Sequence, residues 1–226
     1  MIPLKDDNPL LSIKFQTITL FFIVICVVIF MLGINAVDEA KRSMIMSLGV
    51  VPANLLIRHV DGAAWSFLAP LTLLSSMFIH ADILHLFGNM LYLWIFGDNV
   101  EDAMGHAKFF VFFILVGVIA GFIYALVNVH SVVPAIGASG AISGVLGAYF
   151  VLYPRASVLV LIFGWYPLRL PAVLVLGSWI GLQLLHSNGG GGVAWWAHIG
   201  GFFAGAILIF LFKNKDVTVM GDGQSL

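Results

Sequence analysis

The chain has 226 residues, of which 61% are hydrophobic and only 9% charged, with a formal net charge of −1. Soluble domains carry roughly 25% charged residues, so this balance excludes an ordinary soluble globular protein. The apolar residues fall in long blocks with a mean hydropathy of +1.07, which places the chain among polytopic membrane proteins; no nucleic-acid partner is expected.

Residues 1–14 form a polar segment holding Lys5, Asp6, Asp7 and Lys14. The uncharged stretch Phe15 to Val37 is longer than a signal-peptide core and lacks a cationic leader, so it is read as an uncleaved first span. Cys26, the single cysteine, lies in this span and is read as an apolar packing residue; it leaves neither an intrachain disulfide nor a cysteine metal site available.

Residues 38–80 mix polar and apolar character, with Pro52, Arg58, Asp61, Trp65 and Pro70 among them. They are too charged to span and too apolar for a free linker, which predicts an interfacial, partly helical loop packed on the bundle. A second span is expected from Ile83 to Gly97, closed by Asp98, Glu101 and Asp102.

The uncharged block from Phe109 to Pro154 is about twice as long as one ~30 Å crossing requires. Asn128, His130, Ser131 and Pro134 divide it into predicted helices over 108–127 and 139–153. The segment Arg155 to Tyr166, with Pro154, Gly164 and Pro167 at its borders, is read as a connection lying near the interface. The block Leu170 to Phe212 divides at Ser187–Gly192 into helices over 170–186 and 195–212, and the polar tail that follows is expected to be mobile.

The fold class expected is therefore all-α, a six-helix polytopic bundle. One membrane domain, 15–212, is flanked by cytoplasmic segments 1–14 and 213–226. An even span count puts Lys5, Lys14, Lys108, Arg155, Arg169, Lys213 and Lys215 on one side, against Lys41, Arg42 and Arg58 on the other. The positive-inside rule then places both termini in the cytoplasm, with the cell membrane as the expected location.

Two polar residues stand out within the apolar blocks. Ser139 lies in Gly137-Ala138-Ser139-Gly140, at the start of a predicted helix only ~22 Å long at 1.5 Å per residue. A helix that short leaves Val133–Gly137 non-helical at membrane depth, where irregular backbone must be buried in protein or line a water-filled cavity. Gly137 allows a tight turn, Gly140 is expected to leave room for a substrate backbone, and the positive helix end with the Ser139 N–H favours a developing oxyanion. The four residues alone favour a plainer reading, a helix cap with glycines that permit close packing, and the histidines change that balance.

His198 supplies the second feature, since an intramembrane ionisable residue is a functional candidate by default. Gly140, Gly144 and Gly147 share one face of the 139–153 helix, and Gly201 and Gly205 share the face of His198; packing these faces would bring Ser139 and His198 to the same end. No acid lies between Asp102 and Asp216, which favours a Ser-His dyad over a triad. Asp82 is the nearest acid in prospect and is not assigned to the site.

His80, His85 and Asn89 precede or line the start of the second span, the last two on one helical face. Their N–H groups could complete an oxyanion hole. Metal binding is the rival use of the histidines, without a His-Glu-Xaa-Xaa-His pattern to support it. His59 and His106 are read as exposed or interfacial, His130 and His186 as loop or helix-end residues.

Taken together, His80-Xaa4-His85-Xaa3-Asn89, Gly137-Ala138-Ser139-Gly140 and Ala197-His198-Ile199-Gly200-Gly201, in six spans, resemble the rhomboid intramembrane serine proteases over about residues 15–212. The resemblance implies Ser139 as nucleophile, His198 as general base, His85, Asn89 and the Ser139 N–H as oxyanion donors, and His80 as support for the first loop. It also implies single-span membrane proteins as substrates, cleaved in the lipid bilayer after a small residue, and no cofactor. Two positions depart from the family pattern: Leu71-Thr72 stands where a Trp-Arg pair is common, and Ser143 where a tyrosine often stacks on the histidine.

The Gly189–Gly192 run leads to His198 and is expected to be a mobile cap over the site, or else a plain flexible connection. A non-catalytic rhomboid-like protein that binds client helices is the alternative function. A small transporter or channel is less favoured, because no inverted repeat or charged pathway is visible.

Overall fold

The structure is a computed structural model and describes residues 1–57, 68–189 and 192–221. Arg58, His59, Asp61 and Trp65 of the first loop, and Gly190 and Gly191 of the glycine run, lie outside the described residues.

A short strand β1 (Ile2–Asp6) leads to the apolar helix α1 (Thr17–Gly33). The first loop contains α2 (Asp38–Leu48), α3 (Pro52–Leu56), a 3-10 turn at Ala69–Leu71 and α4 (Thr72–Ser75), so its described part is partly helical as expected. Then follow α5 (Ile83–Met104), α6 (His106–Val127) and α7 (Ser139–Leu152). The hairpin β2 (Ser157–Ile162) and β3 (Tyr166–Pro171) runs directly into α8 (Ala172–His186), and α9 (Trp195–Phe212) closes the bundle.

The described chain is mostly helical, as the composition predicts. α6 and α9 are each long and apolar enough to cross a membrane, and the bent pair Ala69–Phe78 plus Ile83–Met104, with 82° between its parts, passes as one unit. α1, α7 and α8 are apolar but shorter. The protein's core lies among α5, α6, α7 and α9, where Phe96, Phe109, Phe112, Val116, Leu146 and Ile209 are completely buried. Outward-facing positions are also apolar, with Leu185 80% and Leu211 76% exposed, the surface expected where lipid replaces water.

The expectation of an all-α fold needs correction at one end. β1, β2 and β3 form an antiparallel sheet in that order, with Asp6 opposite Val158 and Ile162 opposite Tyr166. The segment read as an interfacial connection, Arg155 to Tyr166, is therefore most of a hairpin, and residues 167–171, partly assigned to a helix, complete it. Alternate residues Val158 and Val160 are fully buried, but the run Ser157-Val-Leu-Val-Leu-Ile is apolar on both faces and so shows no polar alternation.

Asp98, Glu101 and Asp102 do not close the second span at Gly97, because α5 continues to Met104. Glu101 and Asp102 are buried and used as acceptors. Asp102 takes the backbone N–H groups of Leu11, Ser12 and Ile13 at 2.6 to 3.0 Å. Glu101 takes those of Ile18 and Thr19 at 2.9 and 2.8 Å, and His106 Nδ1 stands 2.5 Å from it. His106, read as exposed or interfacial, thus has a partner five residues away.

Residues 1–14 are docked to the helices in the same region. Tyr149 donates to the Asp6 carboxylate at 2.6 Å, and Arg169 pairs with Asp7. Burial pushes the Asp6 carboxyl up to about 6, with the Tyr149 bond partly opposing it. The tail, expected to be mobile, is bonded through residue 221: Asn214 N–H donates to Ala103 O, Met220 N–H to Val151 O and Gly221 N–H to Leu152 O, at 2.8 to 2.9 Å.

Candidate active site

Ser139 is the first residue of α7, at the end of the bundle opposite the sheet. The preceding chain turns at Gly137, whose φ of +105° is accessible to glycine and strained for other residues. This non-helical stretch is held by an exchange of bonds with the first loop. Val50 N–H donates to Ala135 O and Ala135 N–H to Val50 O, both at 2.9 Å, while Gly137 N–H donates to Ser76 O at 2.8 Å. Residues 133–136 line a cavity of about 720 Å³, which meets the expectation that irregular backbone here borders a cavity.

Small residues set the distance between α7 and α9. A Cβ added at Gly201 would lie 2.1 Å from the Gly140 carbonyl oxygen, one at Gly205 1.9 Å from that of Gly144, and one at Gly147 1.9 Å from that of Phe202. The two backbones therefore touch along the faces expected from the sequence. Their contact brings His198 Nε2 to 2.8 Å from Ser139 Oγ.

At Gly140 the expectation is not met. A Cβ there would lie 2.8 Å from the Ala120 Cβ of α6, so the space this glycine leaves is taken up by helix packing.

His85 and Asn89 converge on the same point from α5. A Cβ at Gly137 would be 2.6 Å from His85 Nε2 and 3.3 Å from Asn89 Nδ2, so both groups point at the turn that leads to Ser139. Asn89 is buried and its Nδ2 has no hydrogen-bond partner among the described residues. Such a donor is costly unless something occupies the space before it.

Asp82 caps α5, accepting from Leu84 and His85 N–H at 2.9 Å, and so fixes the turn that carries His85. His80 is buried behind His85, ring centroids 5.1 Å apart and edge to face. Among the described residues no third His, Cys, Asp or Glu joins them as a metal-binding group.

On α8, His186 stacks on Trp195 at 5.5 Å, across the connection from α8 to α9. Gly189 N–H donates to the His186 carbonyl, and Gly192 has a positive φ of +74°. His130 lies outside any helix, as expected of a loop residue, and is exposed.

One site neighbour was missed by the sequence reading. Gln183 Oε1 stands 2.8 Å from His198 Nδ1, and the Trp179 ring lies 5.8 Å from the imidazole at 38°. A signal was present: Gln183 is the only amide in the apolar α8, the same kind of anomaly that singled out Ser139 and His198. Ser143, in the place of a stacking tyrosine, donates from Oγ to the Ser139 carbonyl at 2.6 Å.

Comparison with known proteins places this geometry in context. Residues 65–215 match a family model described as the Rhomboid domain. The chain is 32% identical over 149 residues to "Rhomboid protein 1, mitochondrial" of Saccharomyces cerevisiae, covering 61% of this chain and 40% of that protein. It is 29% identical over 196 residues to "Rhomboid protease GluP" of Bacillus subtilis, covering 85% of this chain and 35% of the relative. A third relative, "RHOMBOID-like protein 12, mitochondrial" of Arabidopsis thaliana, is 29% identical over 153 residues, 60% of this chain and 44% of that protein. The matched region is thus less than half the length of each of these relatives. Because the family model covers well over half of the chain, including Ser139, His198 and the polar start of α5, this membrane protein belongs to the rhomboid family.

Proposed function

We propose that the protein is an intramembrane serine endopeptidase that cleaves single-span membrane proteins within the bilayer through a Ser139–His198 dyad. The observation that carries this reading is the 2.8 Å separation of His198 Nε2 and Ser139 Oγ, both of which line a large cavity. In this reading the neutral imidazole takes the serine proton as Oγ attacks a peptide carbonyl, then returns it to the leaving amine. Water in the cavity hydrolyses the resulting ester by the same route.

The anionic intermediate would receive the Ser139 N–H at the positive end of α7, together with the side-chain N–H groups of His85 and Asn89. Each such donor is worth ~3 kcal/mol in other hydrolases. The Asn89 amide with no partner supports this role, as does the aim of both groups at Gly137. His80 and Gly137 act as supports, one behind His85 and the other as the turn that admits both donors. Gly140 supports the dyad by letting α7 pack on its neighbours.

A small residue before the scissile bond is the preferred substrate feature. A second cavity of only about 30 Å³, lined by Gly117, Gly121, Ser139, Gly140 and Ala141 among others, is of a size for a small side chain and supports that preference. A transmembrane helix would unwind most easily where helix-weakening residues lie.

The proposal extends to six spans, with domain 15–212 in the membrane and flanks 1–14 and 213–226 on the cytoplasmic side. The bias of basic residues supports that topology. It gives no preference for one membrane over another. Several relatives carry "mitochondrial" in their names, so the cell-membrane placement gains no support from them.

Labelling of the detergent-solubilised protein by a fluorophosphonate tests the reading. Wild type is expected to react, and Ser139→Ala and His198→Ala are not. A folded wild type that does not react overturns the protease reading and favours the client-binding alternative.

A further inference from the structure

The neutral imidazole invoked above exists in two tautomers, and only one serves the reaction. Nε2 accepts the serine proton only if the ring proton sits on Nδ1, and a ring nitrogen keeps its proton when the group facing it is an acceptor. The atom facing Nδ1 is Gln183 Oε1, at 2.8 Å, and Gln183 is 8% exposed.

Gln183 and Trp179 are four residues apart and so share one face of α8. Trp179 places its ring 5.8 Å from the imidazole, while Ser143, on α7, turns its hydroxyl back to the Ser139 carbonyl. Apart from Ser139 itself, the side chains placed against the imidazole here therefore come from α8.

We infer that Gln183 is the positioning residue of this site: its amide oxygen accepts the Nδ1–H of His198 and thereby holds the imidazole in the tautomer that can take the Ser139 proton, with Trp179 as the wall beside the ring. Gln183 stands where serine hydrolases often place a carboxylate, but it brings no charge into an apolar helix. The amide has a second face. Rotated by half a turn it would present N–H to Nδ1, drive the proton to Nε2 and leave Ser139 without a base. The orientation of one neutral amide thus selects between a competent and an incompetent pair.

The inference rests on the dyad reading, and one set of variants separates the two. In the full chain, Gln183→Leu keeps the apolar volume but removes the acceptor, and it is expected to slow fluorophosphonate labelling by about 10- to 100-fold, the range found when the partner of a functional histidine is removed. Gln183→Glu keeps an acceptor, and its negative charge favours the protonated imidazole. It is expected to restore labelling above that of Gln183→Leu and to move the acid limb of the pH profile upward by about one unit or more.

The other titratable side chains in the cavity with His198 are Asp82, His85 and Tyr124, unchanged in both variants. A packing role alone would tolerate Leu and leave the acid limb in place. Gln183→Leu labelling at the wild-type rate, or an acid limb in Gln183→Glu that coincides with wild type, overturns the inference while the dyad stands. Should the glutamate variant fail to fold, the leucine variant decides alone, provided its thermal unfolding matches wild type. Absence of labelling in folded wild type would instead remove the dyad reading itself.

Discussion

At the sheet end of the bundle, Glu101 and Asp102 each accept more than one backbone N–H from residues 11–19, Tyr149 holds Asp6, and the tail bonds to the last turn of α7. At the Ser139 end, Asn89 Nδ2 is buried without a partner among the described residues, Gly137 takes a positive φ, and the chain borders a cavity of about 720 Å³. Among the described residues, buried polar atoms without a partner occur at both ends, Asn8 Nδ2, Thr19 Oγ1 and Asn99 Oδ1 near the sheet as well as Asn89 Nδ2 near Ser139, but the acids of the sheet end are taken up by the protein's own donors, whereas Asn89 borders the large cavity. Satisfied buried polar groups rigidify a structure, whereas unsatisfied ones lower its stability and mark where a ligand can supply the missing bonds. On the proposed reading, the bonds that anchor residues 1–19 and the tail and the groups that react lie at opposite ends of the same helices.

The largest expected effect that would sharpen this contrast is at the reactive end. Ser139→Ala is expected to lower proteolysis by more than about 10³-fold, in line with loss of a nucleophile elsewhere, while leaving the thermal unfolding midpoint unchanged. A large fall in the midpoint would mean that Ser139 also holds the fold together, and the contrast would fail.

Glu101→Ala is the counterpart at the sheet end. It strands the Ile18 and Thr19 N–H groups and is expected to cost roughly 3 kcal/mol of stability in denaturant unfolding, with labelling of the surviving folded protein near wild type. Loss of less than ~1 kcal/mol would show that these bonds are replaced by water.

Gly147→Ala probes the joint between the two ends. Its Cβ would fall 1.9 Å from the Phe202 carbonyl oxygen, so α7 and α9 must separate. The expected cost is about 2 to 3 kcal/mol, together with reduced labelling, because the separation propagates to Ser139 and His198. Unfolding midpoint and labelling rate measured on one preparation would show whether the two fall together.

The smallest effect is a pH dependence at the sheet end. Burial raises the Asp6 carboxyl from its usual 3.8 to about 6 in the folded protein, so the folded state holds this proton more tightly than the unfolded chain does. The associated stability is fully present below pH 3.8 and is lost as pH rises through 6. Unfolding free energy is expected to fall by about 1 kcal/mol between pH 5 and 7.5 from this group, and Asp6→Asn to flatten that slope. A slope unchanged by the substitution would show that Asp6 is not its source.

The legibility of the sequence follows the same division. Ser139, His198, His85 and Asn89 could be singled out because a polar residue in an apolar block is conspicuous, and the Gly faces of α7 and α9 fixed how those residues meet. Gln183 met the same criterion and was passed over, because an uncharged amide raises less suspicion than a histidine. The sheet end was read less well. Glu101 and Asp102 looked like helix terminators, since nothing in a linear sequence reveals that residues 11–19 return to satisfy them. The hairpin 157–171 reads as an interfacial connection because its first strand, beyond Ser157, is apolar on both faces and shows no alternation. Gly140 reads as room for a substrate backbone, and that Ala120 of α6 packs against it instead could come only from the three-dimensional arrangement.

The α7–α9 contact has a mechanical implication. Where two helices meet through side chains, they can slide or roll as rotamers change; where a glycine Cα rests on a carbonyl oxygen, there is almost no compliance left. The spacing of Ser139 and His198 is therefore the stiffest coordinate of the reactive end, and slow fluctuations must concentrate in the elements that lack such a seam, α8 and the first loop. Perturbations of the first loop, by temperature or by the thickness of the surrounding bilayer, would act on how often a polypeptide is admitted more than on how fast the bond is cut, whereas perturbations of α8 would also reach the imidazole through Gln183.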